Sequence, residues 1–137
     1  MNILIIDGQG GKIGSKLVEE ICRVCPDADI TAVGTNSAAT QNMLKAGAAR
    51  GATGENAVIV GCRRASVILG PVGIVIADSL CGEITPAMAQ AVGQSEAKRI
   101  LLPLSKCDTL IAGIGELPIG ALVEDAVKKL EELTVNE

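Results

Sequence analysis

The 137-residue sequence contains no Phe, Tyr or Trp and no His. Without aromatic rings there is no platform on which bases could stack, and a net charge of −4 repels nucleic acid and anionic membrane, so neither is expected as a partner. Without His, proton transfer near neutral pH falls to a carboxylate, thiol or lysine shifted by its surroundings, and no metal site is expected. No apolar run approaches the ~20 residues needed to span a bilayer, and the N-terminus has no basic segment followed by a cleavable apolar one, so the expected location is cytoplasmic. The five cysteines are an odd number scattered along the chain, which favours reduced thiols.

What the chain does have is aliphatic bulk and glycine: 48% hydrophobic residues and 16 Gly. Its core must be built from Ile, Val, Leu, Ala and Met, with glycines allowing close approach of helix to sheet. The length suits one domain that buries roughly two thirds of its unfolded surface. A short chain this aliphatic is also expected to hide surface in a homo-oligomer, most simply a homodimer.

The most informative stretch is NILIIDGQGGKIG, from Asn2 to Gly14. Ile3, Leu4, Ile5 and Ile6 form the continuous apolar run of a strand buried on both faces of a parallel sheet. Glycine-dense residues 7–11 make a turn, and a helix follows over residues 13–25, with Ile13, Leu17, Val18, Ile21 and Val24 at helical spacing. A strand, a tight turn and a helix in that order leave backbone N–H groups free to face a phosphate. Gly8, Gln9, Gly10, Gly11, Lys12, Ile13 and Gly14 are therefore the candidate cradle. The alternative is that the glycines merely turn a strand into a closely packed helix. Asp7 opposes an anion there unless its carboxylate faces away or holds a ribose or a metal.

Further strands are expected at residues 29–33, 48–52, 66–69 and 99–104, with helices over 38–47, 54–64, 85–97 and 118–133; residues 74–77 are left undecided between strand and packed loop. The alternation implies a Rossmann-like three-layer sandwich, with a mostly parallel, doubly wound sheet. Residues 109–114 read as one more strand after a turn at 105–108, leaving an antiparallel edge hairpin open. Past the second strand, Thr35, Asn36 and Ser37 stand where an NAD site carries an acid for the ribose. Hydroxyls and an amide there favour NADP or another phosphorylated nucleotide over NAD, and simple helix capping by Asn36 or Ser37 competes with that role. Thr53 is expected to cap the third helix, and residues 70–73 to pass beneath the ligand.

The strict fingerprint GxGxxG fails: Gly8 and Gly10 match, but Ile13 falls where the third glycine belongs and Gly14 comes one later. The spacing resembles the short-chain dehydrogenase/reductase turn TGxxxGIG, with Asp7 where that family has Thr and Lys12 where it has Gly. That family's Tyr and Lys chemistry does not carry over to a chain without Tyr. Over nearly its whole length the sequence is similar to a family of short bacterial proteins known as a domain of unknown function, through DGQGG…IG, ITAVGTNS…ATxxMLKAGA, GATGENAV, GPVGIVIADSL…GEITPAMA and ILLPL…C. This resemblance implies a Rossmann-like fold and no set activity; its members have Gly in place of Lys12.

Three readings of function follow. The first is a module binding a nucleotide or dinucleotide through residues 8–14, with Thr35, Asn36 and Ser37 at the ribose. The second is a small enzyme acting on a phosphorylated or carboxylated metabolite, with Asp78, Cys81 or Glu83 supplying base or nucleophile. The third is a ligand-free structural subunit that pairs with itself. The Cys22–Cys25 pair sits in the last turn of its helix, where the dipole disfavours a thiolate, so packing is its expected role.

Overall fold

The computed structural model of the chain describes residues 1–104 and 108–135. Five strands, β1 (Asn2–Asp7), β2 (Asp29–Gly34), β3 (Arg50–Thr53), β4 (Val67–Pro71) and β5 (Lys98–Leu102), alternate with α1 (Lys12–Val24), α2 (Ser37–Ala46), α3 (Glu55–Arg64) and α4 (Pro86–Gln94); α5 (Ile119–Val135) closes the chain. The strands form one sheet in the order β3-β2-β1-β4-β5, with every adjacent pair parallel.

Alternation of side chains along β1 builds both cores. Ile3 and Ile5 pack with Leu17, Val18 and Ile21 of α1, Met43 of α2 and Val127 and Leu130 of α5. Leu4 and Ile6, one residue out of phase, pack with Val58 and Cys62 of α3 and Met88 and Val92 of α4. Three layers result because a parallel strand in mid-sheet has no face left for water. The missing aromatic volume is made up by close approach: a Cβ added at Gly14, where α1 crosses β1, would fall 3.0 Å from the Asp7 Cβ and run into Met43.

From β1 the chain works outward through β2 to β3, then α3 carries it back across to β4 on the far side of β1. The connections leaving β1 and β4 therefore diverge, and open a crevice between the carboxyl ends of these two strands.

One open reading is settled and one expectation changes. The undecided residues 74–77 are not a strand: a 3-10 turn, Val72–Val75, leads into a folded connection to α4. Nor do residues 109–114 form an edge hairpin. Pro103 follows β5 immediately and can donate no ladder hydrogen bond, Gly113 turns to φ 84, and α5 already covers that face of β5, so the apolar residues have no layer to bury against. Leu110 is 89% exposed. Most of the turn expected before them, residues 105–107 with Cys107, lies outside the described residues.

Ile6 is fully buried at the centre of the sheet. Ile6→Ala is expected to cost about 2–5 kcal/mol in urea unfolding, the range for deleting a buried Ile side chain that its neighbours cannot collapse to replace.

Candidate functional site

The corner between β1 and α1 is held by a carboxylate. Asp7 ends β1 with its side chain buried; its Oδ1 accepts the Gly8 N–H at 2.8 Å and its Oδ2 the Gly14 N–H at 2.7 Å. The Ile13 N–H is turned to the same carboxyl. Gly11, at φ 69, is the N-cap of α1 and offers no side-chain oxygen, so Asp7 satisfies from behind the donors that a capping Ser or Asp would normally take. The Gly11 N–H closes a tight turn onto the Gly8 carbonyl at 2.8 Å. Burial pushes the Asp7 carboxyl above its usual range, the N–H groups of Gly14, Gly8 and Ile13 pull it down, and the nearby Glu83 charge adds to the rise.

A second carboxylate arrives from the other side. Residues 76–84, between the 3-10 turn and α4, form a strap closed on itself by the Asp78 N–H to the Ile84 carbonyl at 2.7 Å and tied down by the Ser79 hydroxyl on the Gly73 carbonyl. Asp78, Leu80 and Cys81 all have positive φ, between 55 and 67, a left-handed conformation that costs L-residues energy and shapes the tip. At that tip Glu83 Oε1 accepts the Gln9 N–H at 2.9 Å, the Thr35 hydroxyl at 2.6 Å and Asn36 Nδ2 at 2.7 Å. Burial acts to raise the Glu83 pKa, but the hydrogen bonds from Thr35, Gln9 and Asn36 outweigh it and leave the group below the usual carboxylate range. Gln9 Nε2 points to Cys81 Sγ at 3.4 Å.

The loop is clamped from α2 as well. Asn36 Nδ2 also donates to the Gln9 carbonyl and Asn42 Nδ2 to the Gly10 carbonyl, both at 2.8 Å. Asn36 caps α2 with its Oδ1 on the Ala39 N–H, as the capping alternative required. Between this loop and the turn after β4 lies a cavity of about 130 Å³. Ile13, Pro71, Leu80, Leu104 and Ile119 form its apolar wall, and Gly10, Lys12 and Cys81 its polar rim.

The structure thus brings Gly8 to Gly14, Thr35, Asn36 and the 70–73 turn to one edge of the sheet. Ser37 is exposed at the start of α2 and makes no hydrogen bond to the loop. Thr53 is not a cap: Gly54 is the N-cap of α3, and the Thr53 hydroxyl meets that of Thr40 at 2.7 Å. The expected cradle is largely filled by the protein itself, since the N–H groups of Gly8, Gln9, Gly11 and Gly14 already have acceptors. Among the described residues those of Gly10 and Lys12 have none. Asn42 and the gripping role of Glu83 escape sequence reasoning; the one available signal for Glu83 was its place among Asp78 and Cys81 before the α4 cap. No group of three or more metal-binding side chains is assembled among the described residues. Cys22, Cys25, Cys62 and Cys81 are unpaired thiols, with that of Cys62 pushed to about 11 by burial. Among the described residues no helix is long and apolar enough to cross a membrane.

A parallel α/β sheet with its crevice at the strand-order switch defines the general class, that of Rossmann-like domains. Within it the chain belongs to the DUF3842 family, a domain of unknown function whose model matches residues 2–135. No curated protein matches the chain in sequence. Among solved structures it is similar to a dodecameric FMN-dependent UbiX-like decarboxylase from Escherichia coli O157:H7. The two are 16% identical, the match covers 96% of this chain and 76% of the other, and the TM-score is 0.49. The expectation that NADP is the favoured member among phosphorylated nucleotides is overturned. Thr35 and Asn36, the groups expected to meet a 2′-phosphate, are spent on the Glu83 carboxylate. The cavity is also well below the ~300–1,000 Å³ of ordinary cofactor sites.

Asp7→Ala is expected to lower stability by about 1–3 kcal/mol for each buried N–H left unsatisfied, less what is regained by removing a buried carboxylate. In the wild type, the unfolded Asp7 ionises near 3.8 and the folded one later. Its contribution therefore falls as pH rises from 3.8 to the folded pKa, then stays level. Carbon-detected NMR titration of the side-chain carboxyl should place its midpoint above 3.8.

Proposed function

We propose that the protein binds a small phosphorylated ligand, compact rather than nucleotide-sized, in the crevice at the switch point of the sheet. Gly10 carries this reading. A Cβ at Gly8 would strike the Thr35 hydroxyl at 2.6 Å, one at Gly11 the Ala39 backbone at 2.8 Å, and one at Gly14 would meet Met43, so packing accounts for all three. Gly10 has no atom within 4 Å of that position and no positive φ, so nothing inside the protein demands a glycine there. Room at Gly10 suits a ligand that approaches the main chain closely.

The clamps supply the direction. In a trans peptide the N–H lies opposite its C=O, so Asn36, by holding the Gln9 carbonyl, turns the Gly10 N–H away from α2 and toward the crevice. The Lys12 N–H in the first turn of α1 and the exposed Lys12 ammonium add positive potential at the same rim. The charges of Asp7 and Glu83 are each engaged by several donors of the protein. A phosphate at Gly10 and Lys12 would leave a short apolar body against Ile13, Leu104 and Ile119.

Calorimetric titration with n-butyl phosphate and inorganic phosphate tests the proposal. Butyl phosphate is expected to bind more tightly, and Lys12→Ala to weaken it about tenfold, or ~1.4 kcal/mol. Gly10→Ala should weaken binding while stability stays within about 0.5 kcal/mol, whereas Gly11→Ala should cost about 1–3 kcal/mol for its clash and positive φ. Absence of binding by both phosphates at millimolar concentration would refute the reading.

We further propose that the chain self-associates as a homo-oligomer through the apolar residues exposed between β5 and α5: Leu110, Ile114 and Leu117 are 89%, 46% and 55% accessible. Leu110→Glu combined with Leu117→Glu should shift the sedimentation coefficient to that of a monomer; an unchanged value means that another surface, or none, is used.

A further inference from the structure

The three donors that grip Glu83 come from two loops: the Gln9 main chain after β1, and the Thr35 and Asn36 side chains after β2. All three converge on one oxygen, Oε1, at 2.6–2.9 Å, and no hydrogen bond is made to Oε2 among the described residues. Their arrangement does not depend on the strap. Gln9 is fixed by the Gly8–Gly11 turn, Asn36 by its cap on α2 and its bond to the Gln9 carbonyl, and Thr35 by its N–H on the Asp7 carbonyl at 3.0 Å. The carboxylate they receive reaches them on a tip whose residues 78, 80 and 81 hold strained positive φ. A preset group of donors thus meets an acceptor mounted on a strained segment.

We propose that Gln9 N–H, Thr35 Oγ1 and Asn36 Nδ2 form a carboxylate-binding seat that Glu83 occupies in cis and that an incoming carboxylate ligand takes over, freeing the strap of residues 76–84. The seat opens toward β2 and shares Gln9 and the strap residues Leu80 and Cys81 with the lining of the crevice, and its test does not involve Lys12 or phosphate. Glu83 competes as a tethered ligand of high effective concentration, so a simple free carboxylate cannot displace it from the wild type. Removal of the Glu83 side chain leaves the donors in place and the seat open. Leu80, whose Cδ1 lies 3.0 Å from the position of a Cβ on Gly8, shows how closely the strap tip covers the loop that leaves β1.

The test is titration of Glu83→Ala with sodium acetate at constant ionic strength, read by amide NMR and hydrogen exchange. Acetate is expected to shift the Gln9 amide saturably in the variant and to raise its thermal midpoint, with no such response in the wild type or with chloride. Exchange at Asp78 and Ile84 should be faster in the variant by about tenfold or more, as for lost hydrogen bonds of charged-group strength, and should stay fast when acetate is bound, because acetate fills the seat without retying the strap. No saturable shift at Gln9 in the variant, an equal response to chloride, or a wild-type shift without faster exchange at Asp78 and Ile84 overturns the proposal. Should Glu83→Ala not fold, Glu83→Gln is titrated in the same way, its amide oxygen being a weaker occupant that acetate displaces.

Discussion

The Asp7 carboxylate is the interaction on which this edge of the molecule depends. The first turn of a helix presents N–H groups with no partner, and here the chain meets that need with the last residue of the preceding strand. Helix, turn and strand are thereby locked at one angle, and the requirement for Gly14 follows, because a carboxylate behind the helix brings α1 too close to β1 for any side chain at the crossing. The burial that raises the pKa of Asp7 is also what makes its N–H partners obligatory.

Glu83 repeats the principle from a distance. Two internal carboxylates neutralise the positive corner that other domains of this architecture leave to a phosphate. What stays open is small and directional: the Gly10 N–H, oriented by the Asn36 grip on the Gln9 carbonyl, and the Lys12 N–H, set by the first turn of α1, where the Ser15 N–H holds the Gly11 carbonyl. The glycine-rich sequence therefore describes two things at once, a corner packed by its own anions and a narrow gap beside it.

The architecture was legible because its signals are local. Ile3 to Ile6, the 3.6-residue spacing of Leu17, Val18 and Ile21, and Thr85 followed by Pro86 each announce their element without knowledge of the rest. The site was legible in place but not in wiring. Gly8, Gly10, Gly11 and Gly14 look alike in a motif, and only their neighbours separate the three that are packed from the one that is open. Whether Asp7 faces outward or inward depends on its rotamer, and Glu83 reaches Gln9 across 74 residues, which no short-range pattern encodes. The apolar residues near Leu110 misled in the opposite sense, since alternation predicts a strand only where a layer remains to be covered.

Placing β1 in both cores has a consequence for cooperativity. Ile3 and Ile5 belong to one helical layer and Leu4 and Ile6 to the other, so neither layer can melt while the strand between them keeps its full packing. Partial unfolding that spares the first strand is confined to the periphery, to the exposed β3 edge and the segment before α5. The corner at Asp7 is rooted in the strand that both halves share, and keeps its shape for as long as that strand stays packed.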